Sequence, residues 1–127
     1  MRLAALTCLL IFGVSAAEAE TASERYGAEY KQCGDADTAT IVICVGKLVK
    51  LWEARMDLAL KKLTDLTEAD RWGGLQKAQD LWLQYRDANC GWYGSGAGTI
   101  KRIEASECMR SMTADRTLEL ELAGETH

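Results

Sequence analysis

The chain has 127 residues, with 15 Lys and Arg against 19 Asp and Glu, a formal net charge of −4, five cysteines, one histidine and no proline. That length fits one domain with a modest core. The acidic balance argues against nucleic acid, whose phosphates need clustered Lys and Arg, but permits attraction to a basic protein partner.

Residues 1–19 read as an export signal. Arg2 supplies the positive start, Leu3 to Ala17 is almost wholly apolar, and Ala17-Glu18-Ala19 fits the small-x-small cleavage pattern. The mature chain is expected to begin at Glu20, in the periplasm or outside the cell. The apolar stretch is shorter than the roughly 18 to 20 residues that span a bilayer, and no later run is both long and uncharged. Cys8 is a poor lipidation site, because Leu6-Thr7 before it does not fit that motif.

Beyond the signal, Cys33, Cys44, Cys90 and Cys108 remain. An even count in a small exported domain implies two disulfides. Three pairings are open; chain locality favours Cys33 with Cys44 and Cys90 with Cys108. Zinc is the rival use of four cysteines, but no CxxC pair exists and the only histidine is the terminal His127. No metal or cofactor is expected.

In chain order, Glu20 to Asp37 reads as an irregular lead-in, with a helical turn around Ser23 to Tyr30. A first long helix is expected from Thr38 or Thr40, either of which would cap it, to Leu63. Ile41, Cys44, Leu48, Leu51, Trp52, Met56, Ala59 and Leu63 recur there at threes and fours. Thr67-Glu68-Ala69-Asp70 loosely matches a capping box, and Gly73-Gly74 predicts a ragged start to the second helix, which runs to Asn89. Gly91 to Gly98 holds four glycines and reads as a loop. A third helix is expected from Thr99 to Leu122, with Ile100, Ile103, Cys108, Met112, Leu118 and Leu122 apolar. The fold class is therefore all-α, a small three-helix up-down-up bundle stapled by two disulfides.

The second helix is the most informative stretch. Gln79, Trp82, Arg86 and Cys90 fall at offsets of three, four and four and share one flank, beside Leu75, Ala78 and Tyr85. Polar groups at core-facing spacing, ending on a cysteine, predict an internal hydrogen-bond network, since buried polar groups must be satisfied. Asp87, Glu104 or Glu107 would pair with Arg86. On the third helix, Thr113 would bond to its own backbone or a neighbouring side chain, and Arg116 would pair with Asp87 or a carboxylate of the first helix.

The series Leu75, Ala78, Gln79, Trp82, Tyr85, Arg86, Asp87, Cys90, then a glycine-rich gap, then Cys108, Thr113, Arg116 and Leu120, resembles the LprI-like lysozyme inhibitor family. Tyr30, Cys33 and Cys44 extend the resemblance over about Tyr30 to Leu122. It implies a small exported bacterial helical domain, in a family named for a member that inhibits lysozyme. The family's first helix usually carries an acid-x-x-Leu-Asn-x-x-Tyr pattern. Here the stretch reads Glu53-x-x-Met56-Asp57-x-x-Leu60, so the asparagine and tyrosine are absent.

No catalytic constellation is present: His127 sits at a terminus, and paired cysteines leave no thiolate nucleophile. The candidate binding segment is the one after Cys90, where Trp92, Tyr93 and Ser95 lie among glycines. Trp and Tyr are the residue types that anchor interfaces. Two functions stay open: an inhibitor of a lysozyme or other cell-wall hydrolase acting through that segment, and a periplasmic structural, adaptor or small-ligand-binding module without inhibitory activity. Sequence does not give the oligomeric state.

Overall fold

The computed structural model describes residues 22–34 and 36–126; the expected export signal lies outside them. Among the described residues there are four helices: α1 (Ala22–Lys31), α2 (Thr38–Leu66), α3 (Ala69–Gly94) and α4 (Ile100–Glu125). The fold is all-α, and the three long helices form the expected up-down-up bundle. Ile41 clusters with Ile103 and Leu63 with Leu120, so α2 and α4 run parallel. Gln79 meets Arg116 and Cys90 meets Cys108, so α3 runs antiparallel to α4. The lead-in, expected as irregular, is a ten-residue helix packed against α4.

Asp37, not Thr38 or Thr40, caps α2. Its Oδ1 accepts from the amides of Ala39 (2.9 Å) and Thr40 (3.1 Å), while the Thr40 hydroxyl donates to Oδ2 (2.6 Å). The helix then buries Ile41, Val45, Val49, Trp52, Met56, Ala59 and Leu63 along one stripe. Spacings of three and four keep these residues on one face. Leu51, expected in the core, sits one position off that stripe and is exposed. The loose capping box at α3 is not used: Glu68 occupies the cap position without a side-chain cap bond, and the helix passes straight through Gly73-Gly74. Ile100 and Leu122, expected among the apolar residues of the third helix, are exposed at the two ends of α4.

α4 is the central element, packed along both α2 and α3. Its contact with α2 is close because the residues between them are small. Thr113, Ala114 and Thr117 are fully buried, and the Thr117 hydroxyl lies 3.2 Å from the backbone oxygen of Trp52. Apolar clusters occupy both ends of this seam: Cys33, Ile41, Val45 and Ile103 at one, Met56, Ala59, Leu63 and Leu120 at the other. The seam between α3 and α4 differs, since the buried residues of α3 are Gln79, Arg86 and Cys90. Both disulfides pair by locality, Cys33–Cys44 with Cα atoms 5.7 Å apart and Cys90–Cys108 with 5.4 Å. The first ties the segment after α1 to α2; the second ties the end of α3 to α4.

Candidate functional site: a polar seam and an aromatic tip

Three buried arginines organise the polar contacts: Arg86 joins α2, α3 and α4, Arg116 joins α3 and α4, and Arg110 joins α1 and α4. Arg86 of α3 donates through Nη1 to Glu53 of α2 (3.0 Å) and to the Thr113 hydroxyl of α4 (3.1 Å), and through Nε to Asp87 (3.0 Å). Its guanidinium lies 5.3 Å from the centre of the Trp82 ring. Thr113 in turn donates to the backbone oxygen of Met109 (2.6 Å). One buried cation therefore joins three helices. Of the expected partners, Asp87 is engaged; Glu104 pairs instead with Lys101 and Glu107 with Arg110.

Arg116 does not pair with Asp87 or with α2. Its Nε donates to the Gln79 side-chain oxygen (3.0 Å) and its Nη1 to Glu119 one turn along α4 (2.8 Å). Gln79 completes its own contacts by donating to the Met56 sulfur at 3.4 Å. Tyr85, expected in the network, is 61% exposed and takes no part in it. It is one position off the Gln79–Arg86–Cys90 flank, and a rotation of about 100° per residue carries it to solvent.

Sequence reasoning missed the third arginine. Arg110 has no exposed surface, yet its guanidinium meets Glu107 on α4 and Glu29 on α1, the latter at 2.6 Å. Glu29 also accepts from the Trp52 indole nitrogen (3.0 Å), which links α1, α2 and α4. Burial opposes the charge on Arg110, but the hydrogen bonds and charges of Glu107 and then Glu29 outweigh it, so its pKa moves up. Glu53 was also missed as the partner of Arg86. The acid of the family's first-helix pattern was the available signal.

The aromatic tip follows directly on this seam. α3 continues through Gly94, so Trp92 and Tyr93 sit on its last turn rather than in a loop. The reason is that helical backbone tolerates isolated glycines at modest cost, and the Cys90–Cys108 bridge holds this turn against α4. Gly94 also permits a close approach, since a Cβ there would lie 3.2 Å from that of Ala105. Ser95 ends the helix, its hydroxyl donating to the Trp92 carbonyl at 2.7 Å. The turn proper is confined to the segment after Ser95, where Gly98 takes φ +94°.

At the tip, Trp92 is 69% exposed and Tyr93 41%, their rings packed edge to face with centres 5.0 Å apart and planes at 77°. Beside them lies a recess of about 330 Å³ lined by both aromatics, Ser95, Gly96, Lys101 and Glu104. Lys101 and Glu104 neutralise one another at 2.7 Å. The tip therefore presents apolar aromatic surface over a small polar floor.

A relative from Rhizobium meliloti (strain 1021), an uncharacterized protein, is 33% identical over 92 residues, which cover 69% of this chain and 66% of that protein. The match thus spans just under two thirds of the relative's length. No solved structure matches. The sequence profile described as "Lysozyme inhibitor LprI" matches residues 16–120, which takes in all four helices except residues 121–125 at the end of α4. On that match the chain belongs to the LprI lysozyme inhibitor family.

Proposed function

We propose that this protein is an exported, non-enzymatic inhibitor of a lysozyme or related cell-wall hydrolase, and that it binds through the Trp92–Tyr93 tip. The observation that carries the reading is the exposed, edge-packed aromatic pair on a helix end held by a disulfide. Large aromatic side chains supply most of the binding energy in many interfaces. Holding them on a helix reduces the ordering cost on association. Family membership supports the class of partner. The net charge of −4 favours steering toward a basic hydrolase.

An oxidising compartment is supported by the two disulfides together with the family. Among the described residues, no helix is long and apolar enough to cross a membrane. The test is a lytic assay with purified mature protein, run with and without reductant. A stoichiometric excess should suppress lysozyme activity, and reduction should relieve the suppression by releasing the end of α3. Undiminished lysis at excess inhibitor would remove the reading.

A further inference from the structure

The outer face of α3 is apolar, where a helix packed on one side ordinarily turns polar side chains to water. Ala78, Leu81, Tyr85, Ala88 and Trp92 follow one another at three, four, three and four residues, and all five are exposed. Leu81 is 56% exposed, Tyr85 61% and Trp92 69%. Steps of three and four keep them on one stripe about 21 Å long, on the side away from the buried Gln79, Arg86 and Cys90. That alternation is the seam by which one helix packs along another, yet α3 meets α4 through its other flank. Lys77 and Gln84 border the stripe on one side, Trp82 and Asn89 on the other, so its margins carry a single charge.

We propose that two copies of this chain pair through the stripe, α3 lying antiparallel to α3 about a two-fold axis. Such an axis uses the same patch twice. Chains of net charge −4 repel one another, and margins with one charge let them meet without like charges in contact. Antiparallel packing also sets Lys77 of each copy at opposite ends of the contact. The small Ala78 and Ala88 flank Leu81 and Tyr85, which leaves room for the large side chains of the other copy to interdigitate. A basic protein would be matched by acidic margins and an anionic lipid surface by clustered lysines; these margins offer neither. An aromatic side chain buries about 150–250 Å², so the stripe supplies roughly half of the 800 Å² per partner of a standard interface. The pair is therefore weak and reversible. Trp92 ends the stripe, so on the function proposed above pairing covers the tip, and the single chain is the form that engages a hydrolase.

The experiment is sedimentation velocity of the purified mature protein at loading concentrations from about 10 μM to about 1 mM, a range that brackets a micromolar dissociation constant. The average mass should climb with concentration toward twice that of the single chain. Leu81→Glu and Tyr85→Glu replace exposed side chains, so each should keep the parent's melting temperature and stay single throughout. Leu58→Glu adds the same charge at a position 69% exposed on α2, and should pair as the parent does. No hydrolase is present, so the outcome is independent of the lytic assay. A parent that stays single over the whole range would overturn the proposal, as would Leu81→Glu and Tyr85→Glu variants that still pair. Equal loss of pairing in Leu58→Glu would do the same, since net charge rather than the stripe would then be the cause.

Discussion

An arginine removed from water must be neutralised where it lies, and this bundle does so three times. Arg86 has partners on α2, α3 and α4. Removing it strands Glu53, Asp87 and Thr113 at once. A fully buried pair broken on one side costs about 3–5 kcal/mol, but Glu53 and Asp87 keep partial access to water. Arg86→Ala should therefore destabilise by about 2 kcal/mol, read from urea unfolding. An unchanged midpoint would show that the network contributes nothing. Arg116 offers a sharper check through its partner choice. A double-mutant cycle of Gln79 with Arg116 should show coupling of about 1 kcal/mol, whereas Asp87 with Arg116 should show none. The reverse pattern would contradict the observed contacts.

These residues also show where sequence stops being legible. Helical spacing was enough to place Gln79 and Arg86 on the inner flank of α3. It did not choose Glu53 for Arg86, because a partner across a helix pair depends on rotation and register that no single-helix pattern fixes. Arg110 was invisible for a related reason. A charged residue reads as solvent-facing, and the acid that neutralises it, Glu29, lies 81 positions away on a helix too short and polar to announce its docking.

At the scale of the element, helix ends decide behaviour. The Asp37 carboxyl is held below its ordinary pKa, chiefly by the Thr40 hydroxyl and then by the Thr40 and Ala39 amides. A carboxylate whose folded pKa is lowered stabilises the native state above its unfolded pKa, and loses that contribution as pH falls through the folded value. Asp37→Ala should accordingly lower the melting temperature at neutral pH, and the gap to the parent should close on acidification below the usual carboxylate range. A gap independent of pH would show that the ionised cap is not the cause. The last turn of α3 depends on a covalent tie instead. Replacing Cys90 and Cys108 by serine should cost about 3 kcal/mol, the value expected for a closed loop of this length. It should also speed amide exchange around Trp92. Extension of α3 through Gly94 was not legible, because four glycines in eight residues read as a break. The disulfide partner across α4 and the close Gly94–Ala105 approach hold what local propensity does not.

For the whole molecule, the two seams divide the labour. The α2–α4 seam is largely apolar; spacings of three and four gave Ile41, Trp52, Met56, Ala59 and Leu63 on its α2 side, but not the small residues Ala114 and Thr117 at its centre on α4. The α3–α4 seam is polar, fixes register through specific donors and acceptors, and carries the tip at its end. Fold class and disulfide pairing were thus open to sequence reasoning, since both follow from periodicity and chain locality. The shape of the tip was not, because it depends on how the disulfide and α4 hold a glycine-rich turn.

The central claim is that exposed aromatics on this held turn, rather than the buried arginines, engage the hydrolase. The direct test is the affinity of the Trp92→Ala/Tyr93→Ala variant for lysozyme, measured calorimetrically beside its melting temperature. Both rings are substantially exposed, so the melting temperature should stay within a few degrees of the parent. The dissociation constant should rise by about a hundredfold or more, as loss of two anchoring aromatics implies. A variant that binds and inhibits like the parent would contradict the account.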